Sequence, residues 1–195
     1  MKLSTESQAA TVHLCPFVIV IDNREKAPYS FTELPRKKKY SKSRKGSKNS
    51  VPASLYVPTE TRYLPTGDYS IDGLEDRFAI ERKSLEDLYG TIGQHRERFE
   101  AELERLNALD FAAVVIEANQ REIWAPSRYR PDWRSKLDPR AVEGSIVAWS
   151  IRFPRVHWWA MGGKREAEVR VFEACEKFWR QEEKKRKQEP TEATE

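Results

Sequence analysis

The sequence predicts an α/β protein, a three-layer α/β/α domain around a mixed central sheet. Three observations carry that prediction. The runs at 17–21 (FVIVI) and 111–116 (FAAVVI) are continuously apolar and strand-length, which suits strands buried on both faces. Between them, short apolar runs at 70–71 and 78–80 are joined by the turn-forming segment 73–76, as in a hairpin. Apolar stripes at helical spacing then cover 85–108, 139–153 and the stretch from 164 onward, and helices alternating with strands in this way pack on the faces of a sheet.

A chain of 195 residues, 38% hydrophobic with six Trp, is enough for one domain with a sizeable core. Its net charge of +4 is unevenly spread. Residues 36–50 carry eight Lys or Arg and no acid, which leaves the rest of the chain at about −4. Cys15 and Cys175 are far apart, and His13, His95 and His157 are equally scattered. Neither a zinc site nor a disulfide framework is suggested, so a metal here would be oxygen-ligated. No run reaches membrane-spanning length, and 17–21 is too short for a signal peptide. The expected location is intracellular: cytoplasmic in a prokaryote or virus, nuclear in a eukaryote.

Taken in order, residues 1–15 show no period and are expected to be a flexible lead-in. The strand at 17–21 ends at Asp22, where open sheets tend to place binding crevices. Asn23, Arg24 and Glu25 follow, either as a polar turn or as part of a site in which the fork of Arg24 holds a phosphate. The segment 36–50 cannot bury itself and is expected to be disordered. Its Lys37, Lys38, Lys39, Arg44 and Lys45 suit non-specific contact with a nucleic-acid backbone, or a localisation signal.

The hairpin delivers Glu81, Arg82 and Lys83. Alternation places Glu81 and Lys83 on one face and Arg82 on the other, with Asp68 approaching from the neighbouring strand. An isolated E-x-K is most simply a surface salt bridge. The same groups with Asp68 outline a Mg2+ site, since that cation is held by one or two carboxylates plus substrate phosphate. Lys83 would then orient the attacking water or offset phosphate charge.

Ser84 and Asp87 fit a capping box for a helix over 85–108, whose buried stripe is Leu85, Leu88, Ile92, Phe99, Leu103 and Leu106. Gly90 and Gly93 weaken its first half and are expected to bend or interrupt it. Residues 124–136 interleave Trp124, Arg128, Tyr129, Arg130, Trp133 and Arg134, a loop that either packs its rings on the core or stacks a single-stranded end. Asp138-Pro139 starts a helix buried through Val142, Ile146, Trp149 and Phe153. A last strand at 156–161 stops at Gly162-Gly163, and a last helix buries Ala167, Val171, Ala174, Cys175 and Phe178. One domain over 16–182 is thus expected, followed by a charged, disordered tail at 183–195.

G-D-Y at 67–69 and E-R-K-S-x-x-D-L at 81–88, preceded by D-x-R-E at 22–25, resemble the nuclease motif of the XPF-type structure-specific endonucleases. These belong to a restriction-endonuclease-like superfamily built on D…(D/E)-x-K. The motifs span residues 17–120. The resemblance implies a restriction-endonuclease-like core and metal-dependent DNA cleavage. Asp22, Asp68 and Glu81 would bind Mg2+, with Mn2+ as a substitute, and Lys83 and Arg82 would join them in catalysis. Arg24 and Arg96 would contact DNA, with Glu25 and Asp87 in support. The implied substrate is branched or flapped DNA in repair, recombination or replication, cut to leave a 5′-phosphate.

Family members usually carry a tandem helix-hairpin-helix module after the nuclease domain, and this sequence shows none. The 36–50 segment is expected to replace part of that DNA contact. A homodimer through the last two helices, using surplus rings at Trp149, Trp158, Trp159 and Trp179, or a heterodimer is expected. Two alternatives stay open. One is a catalytically silent DNA-binding subunit, although Asp22, Asp68, Glu81 and Lys83 are all present. The other is action on RNA, because such a site reads phosphates rather than the sugar.

Overall fold

The computed structural model describes residues 13–32, 34 and 55–188. Lys37, Lys38, Lys39, Arg44 and Lys45, with the rest of the 36–50 segment, lie outside the described residues. Strands β1 (His13–Leu14) and β3 (Leu55–Tyr56) form a small parallel pair. The middle layer is a six-stranded sheet made by β2 (Ile19–Asp22), β4 (Thr59–Arg62), β5 (Tyr69–Ile71), β6 (Phe78–Lys83), β7 (Phe111–Ile116) and β8 (Val156–Ala160). Their order is β4-β2-β5-β6-β7-β8. β5 runs antiparallel to both β2 and β6, and the other pairings are parallel, so the sheet is mixed as expected.

Alternation along β6 and β7 divides the core between two faces. Phe78, Ile80, Ala113 and Val115 pack with Ile19, Ile21 and Tyr69 beneath α6 (Lys164–Gln188), which inserts Ala167, Val171 and Cys175. On the opposite face Ala79, Ala112 and Val114 are covered by α1 (Leu85–Gln94), α2 (Arg96–Asn107) and α5 (Pro139–Arg152) through Leu85, Leu88, Phe99, Leu103, Val142 and Trp149. A short helix, α3 (Gln120–Trp124), leads into the stretch 124–136 that reads in sequence as a loop, and a second, α4 (Pro126–Tyr129), lies within it. Helix, sheet, helix is the predicted three-layer order. No helix among the described residues is long and apolar enough to cross a membrane.

Several elements differ from expectation. The lead-in is structured from His13, because β1 pairs with β3 and Cys15 is buried. The helix expected over 85–108 is interrupted at His95 (φ −123°, ψ 29°), not at Gly90 or Gly93. That break lets α1 lie on β6 while α2 lies across β7 and β8. Residues 183–188, expected in a disordered tail, continue α6, since Glu182 is held by Arg77 and Lys185 and Glu183 pairs with Arg186. β4 was not predicted: its sequence TETR is polar because it is an exposed edge strand. Trp149 is a core residue at 1% exposure, which removes it from the surplus aromatic surface.

Candidate active site

The carboxyl end of β6 and the loop before β5 meet beneath α1 and α2. Gly67 makes that junction possible. It adopts φ +71°, and a Cβ there would lie 3.0 Å from Ala79 Cβ and 3.1 Å from the Ile80 carbonyl oxygen. Asp68 follows with its backbone fixed on both sides: its N–H donates to Ile80 O at 2.8 Å and its carbonyl accepts from Asp22 N at 2.8 Å. Glu102 of α2 ties the turn down by accepting from Thr66 Oγ1 and from Gly67 N at 2.9 Å.

Strand alternation then acts as expected. Glu81 and Lys83 share the face beneath α1 and α2, and Lys83 Nζ donates to Glu81 Oε1 at 2.5 Å. Asp68 Oδ2 accepts from Arg82 N at 2.7 Å, so the two carboxylates stand at the head of adjacent strands. Burial, and then the charge of Glu81, push the Asp68 carboxyl well above its usual range. Burial also raises Glu81, against the lowering pull of Lys83. Burial works to discharge Lys83, but Glu81 and Asp68 outweigh it and keep the ammonium charged. Two acids whose charged forms burial disfavours thus share this end of β6 with one charged ammonium.

The cleft over this group encloses about 440 Å³ and is walled by Asp22, Arg24, Glu86, Asp87, Gly90, His95, Arg98, Phe99 and Glu102 besides the three central residues. Six carboxylates face three Lys or Arg, so the cleft is anionic. Among the described residues no set of three or more His, Cys, Asp or Glu is arranged to hold a metal ion on its own. Asp68 and Glu81 are the candidate donors at the floor of the cleft. Asp68 Oδ1 and Glu81 Oε2 accept no hydrogen bond from the described residues. That pair fits a hard cation that keeps several waters and takes substrate oxygens for the rest of its shell.

Other expected site residues are placed differently. Asp22 lines the cleft, but Oδ1 accepts from Arg24 N at 2.6 Å and Nε at 2.8 Å, and Oδ2 from Arg24 Nη2 at 2.8 Å and Leu64 N at 2.9 Å. Burial raises its pKa, and those hydrogen bonds more than offset it, leaving the carboxyl below its ordinary value. With both oxygens accepting hydrogen bonds, Asp22 organises the loop and Arg24 at the edge of the cleft. Arg24 keeps Nη1 uncommitted among the described residues and stacks over the exposed Tyr63 at 4.9 Å.

Arg82, expected in catalysis, points through the other face of the sheet. It forms a paired hydrogen bond with Glu117 (2.8 and 2.7 Å) and a 3.4 Å contact with Glu25, so it contributes only its backbone N–H to the site. Glu25 also caps the turn by accepting from Ala27 N at 2.6 Å. Asp87 takes part in capping α1: its N–H donates to Ser84 Oγ at 3.0 Å and its Oδ2 accepts from Ser84 at 2.8 Å, while it lines the cleft. Arg96 does not enter the cleft. It binds Ser145 Oγ at 2.8 Å and Glu100 at 3.0 Å over the ring of Trp149. Arg98 lines the cleft in its place, about 200° around the helix from Arg96. Arg98 and Glu102 are the residues that sequence reasoning missed, and only their side of α2 distinguishes them from neighbouring charges.

The ERCC4 domain model matches residues 21–167. No curated protein matches the chain. A solved structure, XPF from Aeropyrum pernix, aligns with a TM-score of 0.53 at 15% identity, over 87% of this chain and 69% of that one, a likeness of fold. The matched span takes in β6, the turn that carries Asp68 and the helices that wall the cleft, and on that match the chain belongs to the ERCC4-domain family of nuclease domains.

Proposed function

We propose that this protein is a divalent-metal-dependent endodeoxyribonuclease that hydrolyses phosphodiester bonds in branched or flapped DNA, in repair, recombination or replication. The observation that carries the reading is the group Asp68, Glu81 and Lys83: a half-buried and a buried carboxylate, each with one oxygen uncommitted, beside a charged ammonium. Asp68 and Glu81 would hold Mg2+, or Mn2+ in its place, which when bound supplies Lewis-acid polarisation of the scissile phosphate and an acidified water as nucleophile.

The chain's own residues do the rest. Lys83 Nζ, held by Glu81, donates to the attacking water or to a phosphate oxygen and offsets charge as it develops. Arg24 Nη1 and Arg98 on the cleft walls tether flanking phosphates. The carboxylate excess repels DNA until a cation neutralises it, which makes productive DNA binding depend on metal.

The deciding experiment is cleavage of matched flap, fork, duplex and single-stranded DNA in Mg2+ by the wild type and by Glu81→Ala. Cleavage by the wild type alone, strongest on branched forms, is the expected result. Absence of cleavage in both Mg2+ and Mn2+ with DNA binding retained would assign the chain to a silent DNA-binding subunit.

A further inference from the structure

A second groove lies on the far side of α1 from the catalytic cleft. It encloses about 620 Å³ between α1 and residues 130–135, and Glu86 and Gly90 belong to the walls of both cavities. The ridge between them is therefore the outer face of α1. Gly90 stands on that ridge. A glycine inside a helix costs stability relative to alanine, and it is normally retained where a side chain would collide with something. A Cβ on Gly90 would meet nothing within 4 Å. Packing gives no reason for the missing side chain, whereas passage over the ridge does.

The groove's lining differs in kind from that of the cleft. The cleft is anionic, while here Glu86 and Asp132 are balanced by Arg130 and Arg134, and the half-buried Trp133 supplies aromatic surface over the buried ring of Tyr89. The two rings meet edge to face at 4.6 Å, and the Tyr89 hydroxyl donates to Ile123 O at 2.6 Å, which fixes the wall. Arg130 is drawn towards Glu86 and Glu122 at 3.6 and 3.4 Å, while Arg134 is exposed and forms no ion pair with the described residues. Aromatic walls with a free guanidinium suit bases and phosphates presented together. A duplex keeps its bases stacked inside, and an unpaired strand can offer them.

We propose that this groove, resting on the nuclease reading of the neighbouring cleft, binds the unpaired DNA strand that leaves the scissile phosphate. The strand crosses α1 at Gly90, lays a base against Trp133, and gives a phosphate to Arg134. The groove thereby selects substrates that have single-stranded DNA next to the cleavage point.

The test uses the full chain and two fluorescein-labelled probes, a duplex with an unpaired arm of ten thymidines and the same duplex with blunt ends. Binding is measured by anisotropy in Ca2+, an oxygen-ligated cation that offsets the cleft's carboxylates in place of Mg2+, on probes checked to be uncleaved, so the result does not depend on turnover. Arg134→Glu is expected to weaken armed-duplex binding at least fivefold and to change blunt-duplex binding less than twofold, and Gly90→Gln, which raises the ridge, to weaken armed-duplex binding at least fivefold, with thermal stability retained in both. Equal effects of Arg134→Glu on both probes, or no effect on either, would overturn the proposal.

A second measurement needs no variant. An armed duplex carrying 5-iodo-deoxyuridine in its unpaired arm is irradiated with the wild-type chain, and the adduct is mapped by mass spectrometry. Adducts within 130–135 support the groove, and adducts confined elsewhere overturn it. Loss of cleavage in Mg2+ with this binding contrast intact would sink the nuclease reading and leave the groove standing.

Discussion

Asp68 shows at the scale of one residue how function opposes stability. Its carboxyl is raised by burial and by Glu81, so its ionised form destabilises the fold above that raised value and the cost vanishes as protonation proceeds. Asp68→Asn is expected to abolish cleavage and to raise the melting temperature of the metal-free protein at pH 7.5, by roughly 2–4 °C for each kcal/mol of relieved repulsion. A lower melting temperature would argue against the strained pair.

Asp22, Glu100 and Glu182 have the opposite sign. Donors from Arg24 and Leu64 outweigh burial at Asp22, Trp149 and Arg152 act on Glu100, and Lys185 and Arg77 on Glu182. Each contributes stability that is present above the ordinary carboxylate range, about pH 4, and is lost as pH falls through its lowered folded value. Melting curves in EDTA should therefore rise as pH drops from 8 towards 5 and collapse below about 4, and Mg2+ should flatten the upper limb.

Arg98 and Arg96 separate a DNA contact from a packing residue. Arg98→Ala should reduce the salt slope of DNA binding by about one, while Arg96→Ala leaves that slope and costs stability through Ser145, Glu100 and Trp149.

At the scale of elements, β6 and the turn before β5 make the site, and their junction depends on Gly67. Any side chain there must accept a left-handed backbone and a collision with β6. Gly67→Ala is expected to cost about 2–4 kcal/mol in urea unfolding. It should cut activity as well, since Asp68 is the next residue. Unfolding midpoints equal to wild type would show that β6 yields easily. Motif spacing made β6 legible: E-R-K straight after an apolar run has to alternate across a strand. The break at His95 was not legible, because Ile92, Phe99, Leu103 and Leu106 keep one helical period whether α1 and α2 are collinear or bent.

For the whole molecule, the proposed function requires an anionic cleft to bind an anionic polymer. A bound metal would offset part of the charge, and the cationic side chains around it would supply the rest. DNA binding is expected to weaken with salt on a slope reflecting about four to six phosphates, and deletion of residues 36–50 should flatten it. An unchanged slope after deletion would remove that segment from the binding surface.

The sequence by itself determined the layer order, the two buried strands 17–21 and 111–116, and the sharing of one face by Glu81 and Lys83. All of these follow from local periodicity and from the motif. Tertiary structure alone decided which charged groups remain free to act. Asp22 accepts hydrogen bonds at both oxygens because Leu64 and Arg24 fold back on it, Arg82 is claimed by Glu117 through the opposite face, and Arg98 rather than Arg96 reaches the cleft. A charged side chain's role depends on the partners packing brings to it, and those partners can be far away in the chain, 42 residues for Leu64 on Asp22 and 105 for Glu182 on Arg77.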